Sequence, residues 1–294
     1  MGLVLKDRNG NYITRPISHP ATDKQVREQL EVLAEEGKIS SGALDKFIQN
    51  TDIDYEYDAD TGANYTIIRV YKNRVDGKKQ YPFVYAPNGA NAGTKSTLDL
   101  VNGEGWLLAI NAGVFNTSTK KPDGMLIQNG EVVQGTISVT HSECKPLTIN
   151  NSGDLGYLEA NVTGDMVAST IVSAVCGFMP IIVDYAVVPS SEWNSVSHYT
   201  ENAQRQIIGQ FGNGDYAILT CEGRGYDNSD GWTIAEAQKI CQKHGLKFAY
   251  NLDGGGSTET MLGFKHLNTI YENTTGRIVP TFIVFNGTDT FTSE

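Results

Sequence analysis

The chain has 294 residues, enough for one large domain or two small ones. Hydrophobic residues make up 39% and charged residues 19%, the balance of a packed globular protein, and 31 glycines with 14 tyrosines favour strands and turns over a helical bundle. The net charge of −11 argues against nucleic-acid binding through phosphate neutralisation, and no stretch approaches the roughly 18 apolar residues of a membrane span.

Residues 1–60 differ from the remainder. Met1 to Gly10 lacks the apolar core of a signal peptide, so the expected location is cytoplasmic, or virion-associated if a phage encodes the chain. Leu3 to Leu5 and Tyr12-Ile13 flank Asn9-Gly10, a hairpin signal. Thr22 and Gln25 have capping-box spacing, and Val26, Leu30 and Leu33 then form the stripe of an amphipathic helix ending at Gly37. A second short helix is expected from about Ser41 to Gln49. The acidic segment Asp52 to Asp60 reads as a linker. Residues 1–60 are thus expected to be a small helical appendage, used for attachment or oligomerisation or packed on the main domain.

Residues 61–294 read as one domain dominated by strands. Strands are expected at Thr66 to Tyr71, Pro82 to Tyr85, Trp106 to Ile110 and Pro180 to Val183. Hairpins are expected around Asn129-Gly130, between Leu147 to Ile149 and Tyr157-Leu158, and around Gly212 to Gly214. Thr163 is placed at the start of a helix running to Val175, and Thr233 with Glu236 forms a capping box for a helix to His244. Phe248 to Leu252 and Thr281 to Phe285 complete the strands. Single strands and helices do not alternate, so the expected class is α+β with a mixed, largely antiparallel sheet and flanking helices.

The chemistry concentrates after Phe248 to Leu252. That short apolar strand delivers Asp253 into Gly254, Gly255 and Gly256, followed by the hydroxyls of Ser257 and Thr258. Glycine permits positive φ and close backbone approach, and consecutive bare N–H groups can form an anion-binding concavity. A carboxylate beside such a cradle suits a substrate that is both sugar and phosphate; the alternative is a glycine-rich turn. In a chain this acidic, any phosphate site must be made locally positive by particular arginines. Asn111, leaving the strand Trp106 to Ile110, either orients sugar hydroxyls or a water, or closes an Asx turn. Glu222 ends the strand Tyr216 to Thr220 and precedes Gly223-Arg224-Gly225, where Glu222 and Arg224 are either a site or a local ion pair.

The stretch Leu252 to Ser257 resembles the LDGGGS signature of the phosphodiester glycosidase family. The resemblance continues upstream in matching order through Ile110 to Asn116, Asp123 to Ile127, Gly177 to Pro180, Arg205 to Gly209 and Glu222 to Arg224, within about Tyr65 to Gly287. It implies a hydrolase cleaving the glycosidic C–O bond of a sugar-1-phosphodiester, with an N-acetylglucosamine-1-phosphodiester-like substrate. Asp253 and Glu222 are then the catalytic carboxylates. The matched block assigns phosphate binding to Arg205 alongside Arg224, with Asn111, Gly254 to Gly256, Ser257 and Thr258 around the substrate. The sequence departs from the family pattern at Tyr185, after Asp184, and at Glu259. Glu259 is either an additional acid or a side chain turned away.

No HxH or HExxH spacing supports catalytic zinc, and no GxSxG, P-loop or dinucleotide fingerprint occurs. No cofactor is expected; calcium, held by scattered carboxylates and carbonyls, stays open. The four cysteines lack CxxC spacing and are expected as free thiols. The expected partner is a phosphorylated carbohydrate or sugar-phosphate polymer, with neither nucleic acid nor membrane. A non-catalytic binding module for phosphoglycans or nucleotides, or a phage or cell-surface structural protein with a glycosidase-like body, are the competing classes.

Overall fold

The computed structural model describes residues 35, 43–97, 99–100, 106–136, 143–159, 162–193, 196–225, 228–262, 265–270 and 276–285. The expected hairpin at Asn9-Gly10 and the stripe Val26 to Leu33 lie outside these residues.

Strands are numbered in chain order and form three sheets. The largest has seven strands in the order β1 (Thr51–Asp58), β2 (Ala63–Val70), β13 (Tyr216–Cys221), β12 (Arg205–Phe211), β14 (Leu246–Asn251), β10 (Met179–Val183) and β11 (Ala186–Val187). A five-stranded sheet runs β16 (Lys265–His266), β15 (Thr260–Leu262), β4 (Leu108–Asn111), β17 (Phe282–Phe285), β3 (Phe83–Tyr85). Another runs β6 (Glu131–Gln134), β5 (Leu126–Gln128), β9 (Ile171–Val175), β7 (Leu147–Asn150), β8 (Leu155–Tyr157). All these pairings are antiparallel. The fold is α+β and sheet-dominated.

Period-two alternation explains how the central strands bury both faces. Ile208, Tyr216, Ile218, Phe248 and Tyr250 face Leu108, Ile110, Ile283 and Phe285 of the second sheet. Their neighbours Ile207, Ala217, Leu219 and Ala249 face the other way, under Ile234, Ala237, Ile240 and Cys241 of the helix Ile234–Lys243. That helix starts with the expected capping box: Thr233 Oγ1 accepts from Glu236 N, and the Glu236 carboxylate accepts from Thr233 N at 2.8 Å. All four cysteines are free and buried.

Two expectations give way. The segment read as a linker is β1, in register with β2 from Thr51↔Val70 to Asp58↔Ala63. Thr51 is fully buried, Ile53 packs on the core, and Glu56 accepts from Tyr65 Oη and pairs with Lys243 at 3.1 Å. The acidic residues therefore alternate along an edge strand, and three of the four are half-buried. The helix expected from Thr163 stops at Val167, and Ile171–Val175 is β9, paired with β5 and β7. Thr170, Ile171 and Val172 are β-branched in a row, which disfavours helix and suits a pleated strand. The Asp184-Tyr185 departure sits in the tight turn between β10 and β11, where both residues have positive φ. It lies on a hairpin tip, with 80% of the Asp184 side chain exposed.

The registers place the site. Arg205↔Cys221, Ile207↔Asn251 and Met179↔Asn251 bring the ends of β13 and β14 and the starts of β12 and β10 to one end of the large sheet. Phe282↔Asn111 and Thr260↔Ile110 do the same for the second sheet.

Candidate active site

The loop after β14 is fixed by its neighbours. Leu252 N donates to Gln206 O at 2.9 Å and Asp253 N to Ala112 O at 3.0 Å. Asn111 clamps both ends: its Nδ2 donates to Asp253 O at 2.6 Å, and its Oδ1 accepts from Glu259 N at 3.0 Å. Asn111 is 1% exposed. It is thus a positioning residue beneath the loop, and the role of touching sugar hydroxyls gives way to this one.

The expected anion cradle is also different in detail. Gly254 N donates to Asp253 Oδ1 at 3.0 Å and Gly255 N to Gln204 O at 2.9 Å. Ser257 N and Thr258 N close the turn on Gly254 O and Gly255 O. These N–H groups are spent inside the fold, one of them on the site carboxylate itself. The glycines serve close approach. A Cβ on Gly254 would lie 2.9 Å from Gln204 O, and one on Gly255 would lie 2.9 Å from Arg224 Nη2, with φ there at +56°. The Arg224 guanidinium therefore rests against the turn that carries Asp253, whose residue is partly exposed.

Arg205 does not join it. Its residue is 4% exposed; Nε donates to Trp232 O at 2.8 Å, and Nη2 to His198 O at 2.8 Å and Glu201 O at 2.7 Å. A bidentate grip on phosphate uses Nη2 with either Nε or Nη1. Both Nη2 protons are already donated, so no fork is left. Burial among neutral carbonyls also pushes its pKa down to about 10. The phosphate role expected for Arg205 is replaced by that of a buried clamp on the loop before β12.

Glu222 is 1% exposed and its Oε1 accepts from Thr269 N at 2.9 Å. Cys221, which pairs with Arg205, faces the helix side, so Glu222 projects to the opposite face, toward the second sheet. Of the expected grouping, Glu222 and Arg205 therefore lie on opposite faces of the sheet. Around Glu222 lies a buried polar seam in which Gln206 Nε2 donates to Thr220 Oγ1 at 3.1 Å and Thr66 Oγ1 donates to Leu267 O at 3.0 Å.

Arg277 went unread in the sequence, while Glu259 was left between an additional acid and a side chain turned away. Arg277 Nη1 donates to Ser257 Oγ at 3.1 Å, on the same glycine turn. Glu259, 2% exposed, accepts from Arg277 N at 2.9 Å and from the Thr97 hydroxyl. Burial pushes its pKa up to about 7, against those hydrogen bonds and the Arg277 charge. On the helix side, His198 Nε2 lies 3.9 Å from Glu143 Oε1 and its ring packs on Phe178 and Tyr199. Burial holds the Cys144 thiol far above its usual range, with Glu143, Asp123 and Asp253 adding to the effect, so these acids share one neighbourhood. Gly276-Arg277 just ahead of the last strand was the available signal for Arg277. Among the described residues, no three His, Cys, Asp or Glu side chains converge to hold a metal ion.

The family model of the phosphodiester glycosidases matches residues 104–286. The SPbeta prophage-derived uncharacterized protein YomE of Bacillus subtilis is 23% identical over 243 residues, covering 78% of this chain and 37% of its own length. This chain thus spans little more than a third of that relative. The catalytic domain of zebrafish N-acetylglucosamine-1-phosphodiester alpha-N-acetylglucosaminidase, auto-inhibited by its pro-peptide, superposes with a TM-score of 0.61 at 17% identity, covering 80% of this chain and 81% of that one. A hypothetical protein from Synechocystis superposes with a TM-score of 0.63 at 15% identity, over 79% of this chain and 61% of that one. At these identities the superpositions show a shared fold. With the matched region spanning most of the chain and holding Asn111, Asp253 and both arginines of the glycine turn, the chain belongs to the phosphodiester glycosidase family.

Proposed function

We propose that this chain hydrolyses the glycosidic C–O bond of a sugar-1-phosphodiester, with an N-acetylglucosamine-1-phosphodiester-like substrate. The observation that carries this is the pairing, on one glycine turn, of the partly exposed Asp253 with the Arg224 guanidinium. Leaving phosphate is stable as an anion, so acid assistance matters less than neutralising charge on the departing oxygen. Water supplies hydroxide to the anomeric carbon, and Asp253 takes its proton. The C–O bond breaks with its electron pair going to the phosphate oxygen, beside Arg224. Asn111 and Gly254 N hold Asp253 in place for this, one through its carbonyl and the other through its carboxylate. The prophage-derived relative supports a phage origin, with the residues before Ala43 serving attachment or oligomerisation.

Asp253→Asn preserves shape and removes the charge. It is expected to abolish sugar release from N-acetylglucosamine-1-phosphodiesters and keep ligand affinity within about tenfold, ~1.4 kcal/mol. Full activity in this variant would remove Asp253 from the chemical step. A wild-type chain that binds tightly yet releases no sugar would instead be a phosphoglycan-binding module.

A further inference from the structure

The glycine turn carries a second arginine, and the two approach it from different parts of the chain. Arg224 comes from the turn after β13 and lies against Gly255, at a position with no Cβ to hold it off. Arg277 comes from the segment before β17 and reaches Ser257 Oγ at 3.1 Å. Arg224 is exposed and Arg277 partly so. We infer that Arg224 and Arg277 together form the anion subsite, gripping the phosphate of the substrate across Gly255 to Ser257, with Arg205 outside it.

The supports of Arg277 fit this role. Its backbone N–H is held by Glu259 Oε1, so the attachment point of the side chain is fixed while the guanidinium extends to the turn. Glu259 itself packs against the Cα of Gly276, where a Cβ would collide with the carboxylate and where φ is +85°. Val279 N, donating to Lys95 O at 3.3 Å, ties down the other side. Ser257 accepts from Arg277, which leaves its own hydroxyl proton to donate. The neighbouring Thr258 Oγ1 is buried and has no hydrogen-bond partner among the described residues. The two guanidiniums stand on the turn beside the partly exposed carboxylate of Asp253, in a chain of net charge −11. The subsite begins two residues past Asp253, the carboxylate assigned to the chemistry at the anomeric carbon. The ligand class is a phosphate or phosphodiester anion.

The inference rests on the hydrolase reading for its substrate, but it can be tested by binding alone. Calorimetric titration of the full chain would use inorganic phosphate, N-acetylglucosamine 1-phosphate and N-acetylglucosamine. Arg277→Ala keeps the backbone bond to Glu259 and removes only the guanidinium. It should weaken both phosphate-bearing probes at least tenfold, ~1.4 kcal/mol, and leave the neutral sugar within about twofold. Arg277→Lys keeps the charge without the fork and should fall between. Unchanged phosphate affinity in Arg277→Ala overturns the inference, as does a wild-type chain with no measurable phosphate binding. If the alanine variant fails to fold, wild-type affinity in Arg277→Lys overturns the two-arginine grip. Phosphate binding that depends on Arg277, in a chain that releases no sugar, keeps this subsite and rejects the hydrolase. Sugar release with phosphate binding indifferent to Arg277 does the reverse.

Discussion

Replacing Glu259 by glutamine should make the protein more stable at alkaline than at acidic pH, relative to wild type. The side chain is 2% exposed, and its carboxyl accepts from Arg277 N and the Thr97 hydroxyl. Burial raises its pKa from the ordinary 4.5 to about 7. The sign follows from proton uptake. Below about pH 4.5 the group is protonated in both folded and unfolded chains and has no effect. Between the two values the unfolded chain ionises freely while the folded one resists, so stability falls as pH rises and levels off above about 7. The full difference, at about 1.36 kcal/mol per pH unit, amounts to roughly 3 kcal/mol; between about pH 5 and pH 8 it comes to about 2.5 kcal/mol. Glutamine cannot ionise, so it mimics the protonated form throughout. Urea unfolding of both proteins at the two pH values would measure this. The stability difference, variant minus wild type, should grow by about 2.5 kcal/mol from pH 5 to pH 8. A variant equally destabilised at both would show that Glu259 is ionised in the fold and that its attraction to Arg277 outweighs its burial.

Arg205→Met should remove the guanidinium donor from the carbonyls of Trp232, His198 and Glu201, of which Trp232 O keeps Ala203 N at 3.3 Å, and destabilise the fold by roughly 1–3 kcal/mol for each carbonyl left unsatisfied; urea midpoints measure it, and a normal midpoint with phosphate binding lost would restore Arg205 to the site. Gly255→Ala meets both a positive φ and Arg224 Nη2 at 2.9 Å, so it should cost about 1–3 kcal/mol and displace the guanidinium; a variant with wild-type thermal stability and phosphate affinity would show that Arg224 does not rest on the turn in solution.

The sequence carried the strands well, because alternation and turn residues are local signals. Asn129-Gly130 joins β5 to β6, and Thr233 caps its helix, as their spacing predicts. Asp52 to Asp58 misled because its charges outnumber Ile53 and Tyr55, and only pairing with β2 reveals which face they occupy. For the site, Asp253 and its glycine turn were readable as a strand end running into bare backbone. The role of Arg205 was not. Its partners are carbonyls at 198, 201 and 232, and nothing local distinguishes a guanidinium that meets carbonyls from one that meets phosphate. The separation of Glu222 from Arg205 likewise needs the register Arg205↔Cys221, which is a long-range fact.

The apolar volume between the seven-stranded sheet and the second sheet has no single owner. Phe47 and Ile48 come from the helix Ala43–Ile48, Leu126, Leu147, Ile149 and Val175 from the third sheet, and the rest from the other two sheets and the segments that flank their strands. Removing any wall opens the same interior to water, so no sheet can melt on its own without exposing its neighbours' side chains. Unfolding of this body is accordingly a concerted event, and hydrogen exchange at Ile110, Ile218 and Tyr250 should proceed through one shared opening. The same continuity moves the natural N-terminal border of the folding unit. A cut at residue 60 would strip away β1 and the Phe47 and Ile48 plug together, so a self-sufficient fragment has to begin before Ala43.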